Sequence, residues 1–319
     1  MKKLILILPC FNEEEVLPTT IKELSLLLKE MIEKRLITED SYACFVDDGS
    51  SDATWSLIEE ASKETLFEGI KLSTNSGHQN ALLAGLETLR NSADCYVTLD
   101  SDLQDDITII PTMIEEFVRG ANVVYAVRKK RESDTFFKRN SARVFYAIQK
   151  KLGINIVENH ADYRLLSCSV VNFLYEFKER NIYIRAIIPL IGFKSKIVYY
   201  ERQERVAGES KYPFVKMLSF AWDGITSFST FPLKLITIIG AIIFVGSMGM
   251  SLWIIVMKIL FNETIPGWAS TTVPIYFMGG VQLLALGIIG EYIGKIYIET
   301  KARPRYFVEE KTGHDEKFK

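Results

Sequence analysis

Two long uncharged apolar runs place the strongest constraint on how this 319-residue chain can fold. Residues 235–257 lie between Lys234 and Lys258 and contain no charged side chain, and residues 273–290 form a second such run. About 20 apolar residues are enough to cross the hydrocarbon core of a bilayer. Both runs, within a segment over 232–294, are therefore predicted to be transmembrane helices, with a buried core helix as the alternative.

The charges around these runs predict an orientation in the membrane. The connecting loop 262-NETIPGWASTT-272 has one acid and no base, whereas four bases lie between residues 295 and 305. Because cytoplasmic loops are enriched in lysine and arginine, residues 1–211 and a basic tail over 295–319 are predicted to be cytoplasmic. Residues 212–231 carry apolar side chains at helical spacing, which predicts a juxtamembrane interfacial helix, with a core helix as the alternative. The predicted localisation is multi-pass in the cytoplasmic (inner) membrane.

The first 211 residues alternate strand-like and helix-like patterns. Short apolar runs predict strands over 3–8, 42–47, 69–73, 95–99, 123–127 and 197–201. An amphipathic segment over 13–34 predicts a helix, with Asn12 and Glu15 in the N-cap and N3 positions. This alternation predicts a Rossmann-like α/β domain with a mostly parallel sheet that is covered on both faces.

The charge and the cysteine content limit which cellular compartment and which partners are expected. A formal net charge of −2 gives no general attraction to nucleic acid. The four cysteines contain no C-x-x-C pair and the three histidines are isolated, which indicates buried thiols in a reducing compartment and gives little support for zinc. The apolar run after Lys3 is too short for a secretory signal and lacks a cleavage site, so it is predicted to be the first strand.

Four polar clusters follow predicted strands: 9-PCFNEE-14, 47-DDGSSD-52, 74-TNSGHQNA-81 and 100-DSDLQDD-106. Ligands of parallel α/β sheets bind at the carboxyl ends of the strands, so a site is predicted at this edge. Asp47 and Asp48 can accept hydrogen bonds from a base or a ribose. Gly77 lies at a predicted helix start, where free N–H groups favour a phosphate or a sugar hydroxyl. The P-loop pattern is absent, so ATP hydrolysis is not expected.

The fourth cluster predicts a metal site. Asp100 and Asp102 are two residues apart, so in an extended backbone their carboxylates face the same side. Together with the side-chain carbonyl of Gln104 they form an all-oxygen set suited to Mg²⁺ or Mn²⁺. A solvated acidic turn is the alternative, and Asp105 and Asp106 are predicted to form such a turn.

In their order and spacing these clusters resemble those of the family 2 glycosyltransferases of the GT-A fold. Within that family the chain looks like the polyprenyl-phosphate glycosyltransferases, relatives of dolichol-phosphate mannose synthase and of the bactoprenol glucosyltransferases. The similarity also includes 162-DYRLLS-167, 205-RVAGESKY-212, 224-GITSFSTFPL-233 and 290-GEYIGKIYIETKARPRY-306. The Q-x-x-R-W motif of processive synthases is missing, which favours transfer of a single sugar.

The resemblance implies roles for individual residues. Asp102 and Gln104 would hold the metal, with Asp100 contributing directly or through water, and Asp162 would be the catalytic carboxylate. A buried pairing of Asp162 with Arg164 is the structural alternative. The donor nucleotide sugar would be held by Pro9, Asn12, Glu13, Asp48 and Asp100, and the helix start at Gly77 adds this residue to the expected donor site.

A basic stretch over 128–151 contains nine bases and two acids. A lipid phosphate that approaches a phosphorylated donor needs such cations, and the arginine fork suits phosphate. The alternative is a basic face attracted to anionic lipid headgroups. The residues expected to hold the acceptor phosphate are Arg128, Arg139, Arg143, Arg205, Ser210 and Lys211.

The expected activity is inverting, metal-dependent transfer of one sugar from a nucleotide sugar to polyprenyl (undecaprenyl) phosphate, for modification of a cell-envelope polysaccharide. UDP-glucose is the favoured donor; N-acetylglucosamine, mannose and amino-arabinose donors are alternatives. A sugar-nucleotide sensor without turnover and a lipid-flippase component are alternatives of a different class. A homo-oligomer is expected, and glycines in both apolar runs are compatible with close helix packing. A flippase and a second glycosyltransferase would act downstream.

Overall fold

The computed structural model describes residues 1–129, 160–180, 182–201, 231–261 and 267–313. The described residues form two compact units. One contains the residues up to 201 together with those from 303 onward, and the other contains residues 231–261 and 267–302. Each unit is described separately below.

An eight-stranded sheet forms the centre of the first unit. Its strands are β1 (Leu4–Cys10), β2 (Tyr42–Asp47), β3 (Phe67–Leu72), β4 (Cys95–Thr98), β5 (Val123–Arg128), β6 (His160–Ser167), β7 (Ser195–Tyr200) and β8 (Val308–Thr312). They lie in the order β7-β5-β6-β4-β1-β2-β3-β8. All six predicted strands are present, within a few residues of the predicted bounds. Strands β6 and β8 were not predicted.

The sheet is mixed rather than mostly parallel. Strand β1 is parallel to β2 and β4, β2 is parallel to β3, and β5 is parallel to β7. Strand β6 is antiparallel to both of its neighbours, β4 and β5, and β8 is antiparallel to β3. The prediction of a mostly parallel sheet therefore holds for β1 to β4 and fails where the two unpredicted strands enter.

Six helices accompany the sheet in the described part of this unit. They are α1 (Leu17–Glu33), α2 (Thr54–Ala61), α3 (His78–Thr88), α4 (Ile110–Val118), α5 (Cys168–Leu174) and α6 (Ile184–Ile191), and a 3-10 turn (Ile107–Ile109) precedes α4.

Side chains cover both faces of β1, as the sequence predicted. Because successive side chains of a strand face opposite sides, Leu6 joins the core that contains Leu24 and Leu28 of α1, whereas Ile7 lies against α3. Helix α3 approaches this closely because residue 85 is glycine. A Cβ on Gly85 would lie 2.7 Å from Ile7 Cγ2.

The predicted N-terminal cap of α1 is wrong. The helix begins at Leu17, after Val16, and no side chain caps it. Pro18 explains the start, since proline is favoured in the first turn, where an N–H has no helical partner. Asn12 instead has a left-handed backbone (φ 55°) and bonds to another loop, as described below.

Strand β8 extends the sheet with residues from the predicted basic tail. Thr312 Oγ1 accepts a hydrogen bond from the Gly69 N–H at 2.7 Å, and Lys311 lies 3.6 Å from Glu68. The sequence VEEKT of β8 contains one apolar residue and gives no alternating pattern, so sequence analysis could not find this strand. The structure thus adds part of the 295–319 segment to the sheet.

The second unit contains two long helices, α7 (Phe231–Phe261) and α8 (Trp268–Lys301). The predicted apolar runs 235–257 and 273–290 lie within them. Large apolar side chains are exposed along both, including Ile242, Leu260, Leu283 and Leu286. Within the described residues, one helical stretch, Phe277–Lys301, is long and apolar enough to cross a membrane, with a mean hydropathy of 1.4. The predicted interfacial helix over 212–231 lies outside the described residues except for its last position.

Candidate active site

The four polar clusters converge, as predicted, at the carboxyl ends of β1 to β4. Asn12 Oδ1 accepts a hydrogen bond from the Ser51 N–H at 2.9 Å, and the Asn12 N–H donates to Ser50 Oγ at 3.0 Å. The Glu13 N–H donates to Thr54 Oγ1 at 2.9 Å. These bonds join the loop after β1 to the loop after β2, and Pro9 is buried near the end of β1.

The loop after β2 is joined in turn to the loop after β3. Both carboxylate oxygens of buried Asp48 accept backbone hydrogen bonds, from the Ser76 N–H at 2.7 Å and the Gly77 N–H at 2.9 Å. Gly49 has a φ of 70°, and a Cβ there would lie 2.7 Å from the Asn75 nitrogen, so only glycine permits this approach. Gly77 does precede α3, as predicted, but its own N–H is bonded to Asp48 rather than free for a ligand.

His78, the first residue of α3, connects this loop to the acidic residues. Its Nε2 lies 3.5 Å from Asp100 Oδ1 and 3.9 Å from Asp162 Oδ2. The pKa of Asp100 is raised to about 6, chiefly by burial. His78 acts in the lowering direction, and the carboxylates of Asp105, Asp162 and Asp102 act in the raising direction. In the sequence His78 is an isolated histidine, so its place in the site was not predicted.

The predicted metal ligands lie in a turn that follows β4. Asp102 is partly exposed and its Oδ1 accepts a hydrogen bond from the Gln104 N–H at 3.1 Å, while the residue between them, Leu103, has a φ of 49°. The Gln104 side chain is buried. Thr20 of α1 fixes the turn by donating to the Ser101 carbonyl at 2.7 Å.

These residues fit a hard divalent cation. Among the residues that the structure describes, Asp100 and Asp102 have no lysine or arginine partner, and a carboxylate set without one suits Mg²⁺ or Mn²⁺. In the same described ranges no group of three or more His, Cys, Asp or Glu side chains is arranged to hold a metal. Oxygens of a substrate would therefore have to complete the coordination shell.

The prediction of a solvated turn is wrong for Asp105. This residue is 3% exposed, and its Oδ1 accepts hydrogen bonds from the Tyr200 hydroxyl at 2.5 Å and from Arg128 Nη2 at 3.1 Å. Arg128 also donates through Nε to the Tyr200 hydroxyl at 2.9 Å. The Asp105 carboxylate can be buried because a guanidinium and a phenol hydroxyl replace water as its hydrogen-bond donors. Asp106 is partly exposed and caps the 3-10 turn by accepting from the Thr108 N–H at 2.9 Å.

Asp162 lies on β6 between two arginines. Arg164 is fully buried and donates to Asp162 Oδ1, so the pairing that the sequence left as the structural alternative is present. Arg185, at the second position of α6, donates from Nε to Oδ1 at 3.2 Å and from Nη2 to Oδ2 at 2.9 Å. Burial raises the pKa of Asp162, but Arg164 and Arg185 outweigh it and hold this pKa well below its ordinary value. Such a carboxylate is a weak base.

Neither Arg185 nor the residue that fixes its backbone was predicted from the sequence. Gln79 of α3 donates to the Ile182 carbonyl and accepts from the Ile184 N–H at 3.3 Å. The sequence around Arg185, IYIRAIIPLIGF, gave only the pattern of a short apolar helix. Gln79 was within a quoted motif, but nothing in that motif indicates a partner more than 100 residues away.

Of the residues expected to hold the acceptor phosphate, the structure describes Arg128, and it pairs with Asp105. The others, Arg139, Arg143, Arg205, Ser210 and Lys211, lie outside the described residues.

Acids, a histidine and arginines gathered at the carboxyl edge of an α/β sheet indicate an enzyme that binds an anionic ligand together with a cation. Comparison with known proteins gives the class. The family model for "Glycosyl transferase family 2" matches residues 5–174, and the chain belongs to that family. It is a glycosyltransferase, with the GT-A α/β fold and a mixed sheet.

Two of the relatives that match nearly the whole chain show the range of the similarity. One is an uncharacterized glycosyltransferase, YkoT, of Bacillus subtilis, with 47% identity over 96% of this chain and 91% of the relative. The other is the bactoprenol glucosyl transferase of Shigella phage SfX, with 40% identity over 96% of this chain and 98% of the relative. Among solved structures, a Mycobacterium tuberculosis glucosyl-3-phosphoglycerate synthase matches with 14% identity and a TM-score of 0.48, over 70% of this chain and 76% of that one.

Proposed function

We propose that this protein transfers a single glucose from UDP-glucose to a polyprenyl phosphate at the cytoplasmic face of the membrane, with inversion at the sugar carbon. The observation that carries the proposal is the position of His78 at the sheet edge, where its Nε2 lies within 4 Å of both Asp100 and Asp162. The bactoprenol glucosyl transferases among the relatives support the choice of sugar and of lipid.

The donor would bind across the joined loops after β1, β2 and β3. The proposed donor-binding residues are Pro9, Asn12, Glu13, Asp48, Gly77 and Asp100. Since Asp48 already fixes the Gly77 loop, loss of its carboxylate would also disturb that loop.

Asp100 and Asp102, with Gln104, would hold Mg²⁺ or Mn²⁺. When bound, this ion would neutralise charge on the leaving diphosphate. The protein's own residues act around it by orienting the two phosphate-bearing substrates.

Asp162 would act as an orienting group rather than as a general base. A lipid phosphate is already an anion at neutral pH and needs no strong base to attack. The two guanidinium groups on Asp162 agree with this, because they stabilise its ionised form. In-line attack by the phosphate oxygen on the anomeric carbon would break the bond to the diphosphate and invert the configuration.

Helices α7 and α8 would cross the membrane and place the site near the headgroups. Their exposed apolar side chains and the predicted orientation support two spans. Residues that would receive the lipid phosphate there are Arg128, Arg139, Arg143, Arg205, Ser210 and Lys211.

The test uses the purified full chain, undecaprenyl phosphate, Mn²⁺ or Mg²⁺ and a panel of nucleotide sugars. We expect one glycolipid, carrying a single glucose in inverted configuration, with UDP-glucose as the best donor. A product from UDP-N-acetylglucosamine or GDP-mannose alone would overturn the choice of sugar. No glycolipid with any donor would overturn the proposed reaction.

A further inference from the structure

The Arg185 guanidinium is held by a carboxylate yet remains open on one side. Nε and Nη2 engage the two oxygens of Asp162, and the side chain is 37% exposed. A guanidinium has five N–H donors, and none of the hydrogen bonds of Arg185 within the described residues uses Nη1. One edge of the fork is thus fixed and the other is available.

Two guanidinium groups contact the single carboxylate of Asp162. Asp162 is already paired with Arg164, which is fully buried and cannot exchange its partner for water. Arg185 therefore adds a second positive charge to one carboxylate. Because Arg164 already pairs with Asp162, the charge of Arg185 is shared between Asp162, the nearby carboxylate of Asp100 and any anionic ligand that reaches its exposed side.

The backbone that carries Arg185 is held in place by the active-site helix α3. Gln79 bonds to the backbone on both sides of residue 183, and Ile184, Ala186 and Ile187 of α6 are buried. The neighbouring residue, His78, contacts both Asp100 and Asp162. One turn of α3 therefore sets the position of Arg185 relative to the acids, which reduces the entropy that a ligand contact would cost.

We propose that Arg185 binds a phosphate group at the reaction centre and that Asp162 is the positioning residue for it. Arginine suits this task because its planar fork can give one edge to a carboxylate and the other to phosphate oxygens. The phosphate belongs either to the diphosphate of the donor or to the lipid acceptor. The naming of these two substrates rests on the function proposed above.

The experiment compares Arg185→Gln and Arg185→Lys with wild type and with Arg119→Gln. Arg119 is the matched control, since it is an exposed arginine directly after α4 that pairs with Glu115 and Glu116 of that helix. One arm measures UDP binding with Mn²⁺ by calorimetry in the absence of lipid. The other arm measures kcat and KM for UDP-glucose and for undecaprenyl phosphate, after thermal denaturation has shown that each variant is folded.

We expect Arg185→Gln to weaken the binding of one phosphate-bearing substrate about 10- to 100-fold, as expected for the loss of a charge-assisted hydrogen bond. Weaker UDP binding assigns the contact to the donor, and a raised KM for undecaprenyl phosphate alone assigns it to the acceptor. Arg185→Lys should recover part of the loss, and Arg119→Gln should match wild type. If Arg185→Gln does not fold, Arg185→Lys alone decides, because it keeps the charge but loses the fork and should still weaken one substrate.

The proposal is overturned if a folded Arg185→Gln variant shows unchanged UDP binding and unchanged KM values, even if its kcat falls. If Arg185→Gln does not fold, the same result for Arg185→Lys overturns the proposal. The failure of the proposed function looks different, since wild type itself would then make no glycolipid. In that case the UDP arm alone decides, and UDP binding that is equal in wild type and variant overturns the proposal.

Discussion

Replacing Asp105 with asparagine tests whether the acids after β4 differ as the structure says. Asp105 is 3% exposed and accepts hydrogen bonds from Tyr200 and Arg128, whereas Asp106 is partly exposed and caps a 3-10 turn. Asparagine has nearly the same shape as aspartate but no charge. Asp105→Asn therefore removes the ion pair with Arg128 and leaves the packing in place.

The expected loss follows from the exposure of the two partners. Breaking a fully buried ion pair costs about 3–5 kcal/mol, because the remaining charge is left unpaired. The Arg128 side chain is 30% exposed, so water can solvate it in part. We therefore expect a loss of about 2 kcal/mol, which for a domain of this size lowers Tm by roughly 4–8 °C.

Thermal denaturation of the full chain in detergent, followed by tryptophan fluorescence, measures this shift. Asp106→Asn is the control, since asparagine is also a good cap and the change should stay within about 0.5 kcal/mol. Equal Tm values for wild type and Asp105→Asn would refute the reasoning. So would equal losses for the two variants, because the two acids would then be equivalent.

Three further results are expected. Thr312→Val should lower the unfolding free energy by about 1–3 kcal/mol, since the Gly69 N–H loses its acceptor. Thr312→Ser keeps the hydroxyl and should retain most of that free energy, so equal denaturation curves for the two variants would contradict this. Asp102→Asn should abolish glycolipid formation and weaken UDP binding only when Mn²⁺ is present, so full turnover would exclude this residue as a ligand. Chelation of divalent ions should stop turnover reversibly, and activity that persists in excess EDTA would exclude a metal requirement.

The sequence was sufficient to predict the parts of the fold in which a local pattern repeats along the chain. Strands β1 to β4 are apolar runs followed by polar loops, and the parallel connection between them brings those loops to one edge. The pairing of the loops was not predicted, because Asp48 was expected to bond to a base or ribose, whereas in the structure it accepts from the Ser76 and Gly77 N–H groups.

Long-range partners could not be read from the sequence. Asp105 reads as a solvated acid because its neighbours in the chain are acidic, yet its partners, Arg128 and Tyr200, are 23 and 95 residues away. Arg185 gave no signal, because a lone arginine in an apolar helix is consistent with a surface position. Strand β6 contains the charged residues Asp162 and Arg164, so its sequence lacks the apolar pattern of a buried strand. These two charges are tolerated inside the protein because they pair with each other.

Strand β8 also imposes an order on biosynthesis. Its partner β3 is complete at Leu72, but β8 begins at Val308, so more than 200 residues must leave the ribosome between the two. Until then the β3 edge presents unpaired backbone groups, which are a template for association with other chains. Contacts of such long sequence separation form slowly. Maturation of the catalytic sheet thus has to wait for synthesis of both apolar helices, and a stop codon placed just after α8 would yield a chain with an open sheet edge.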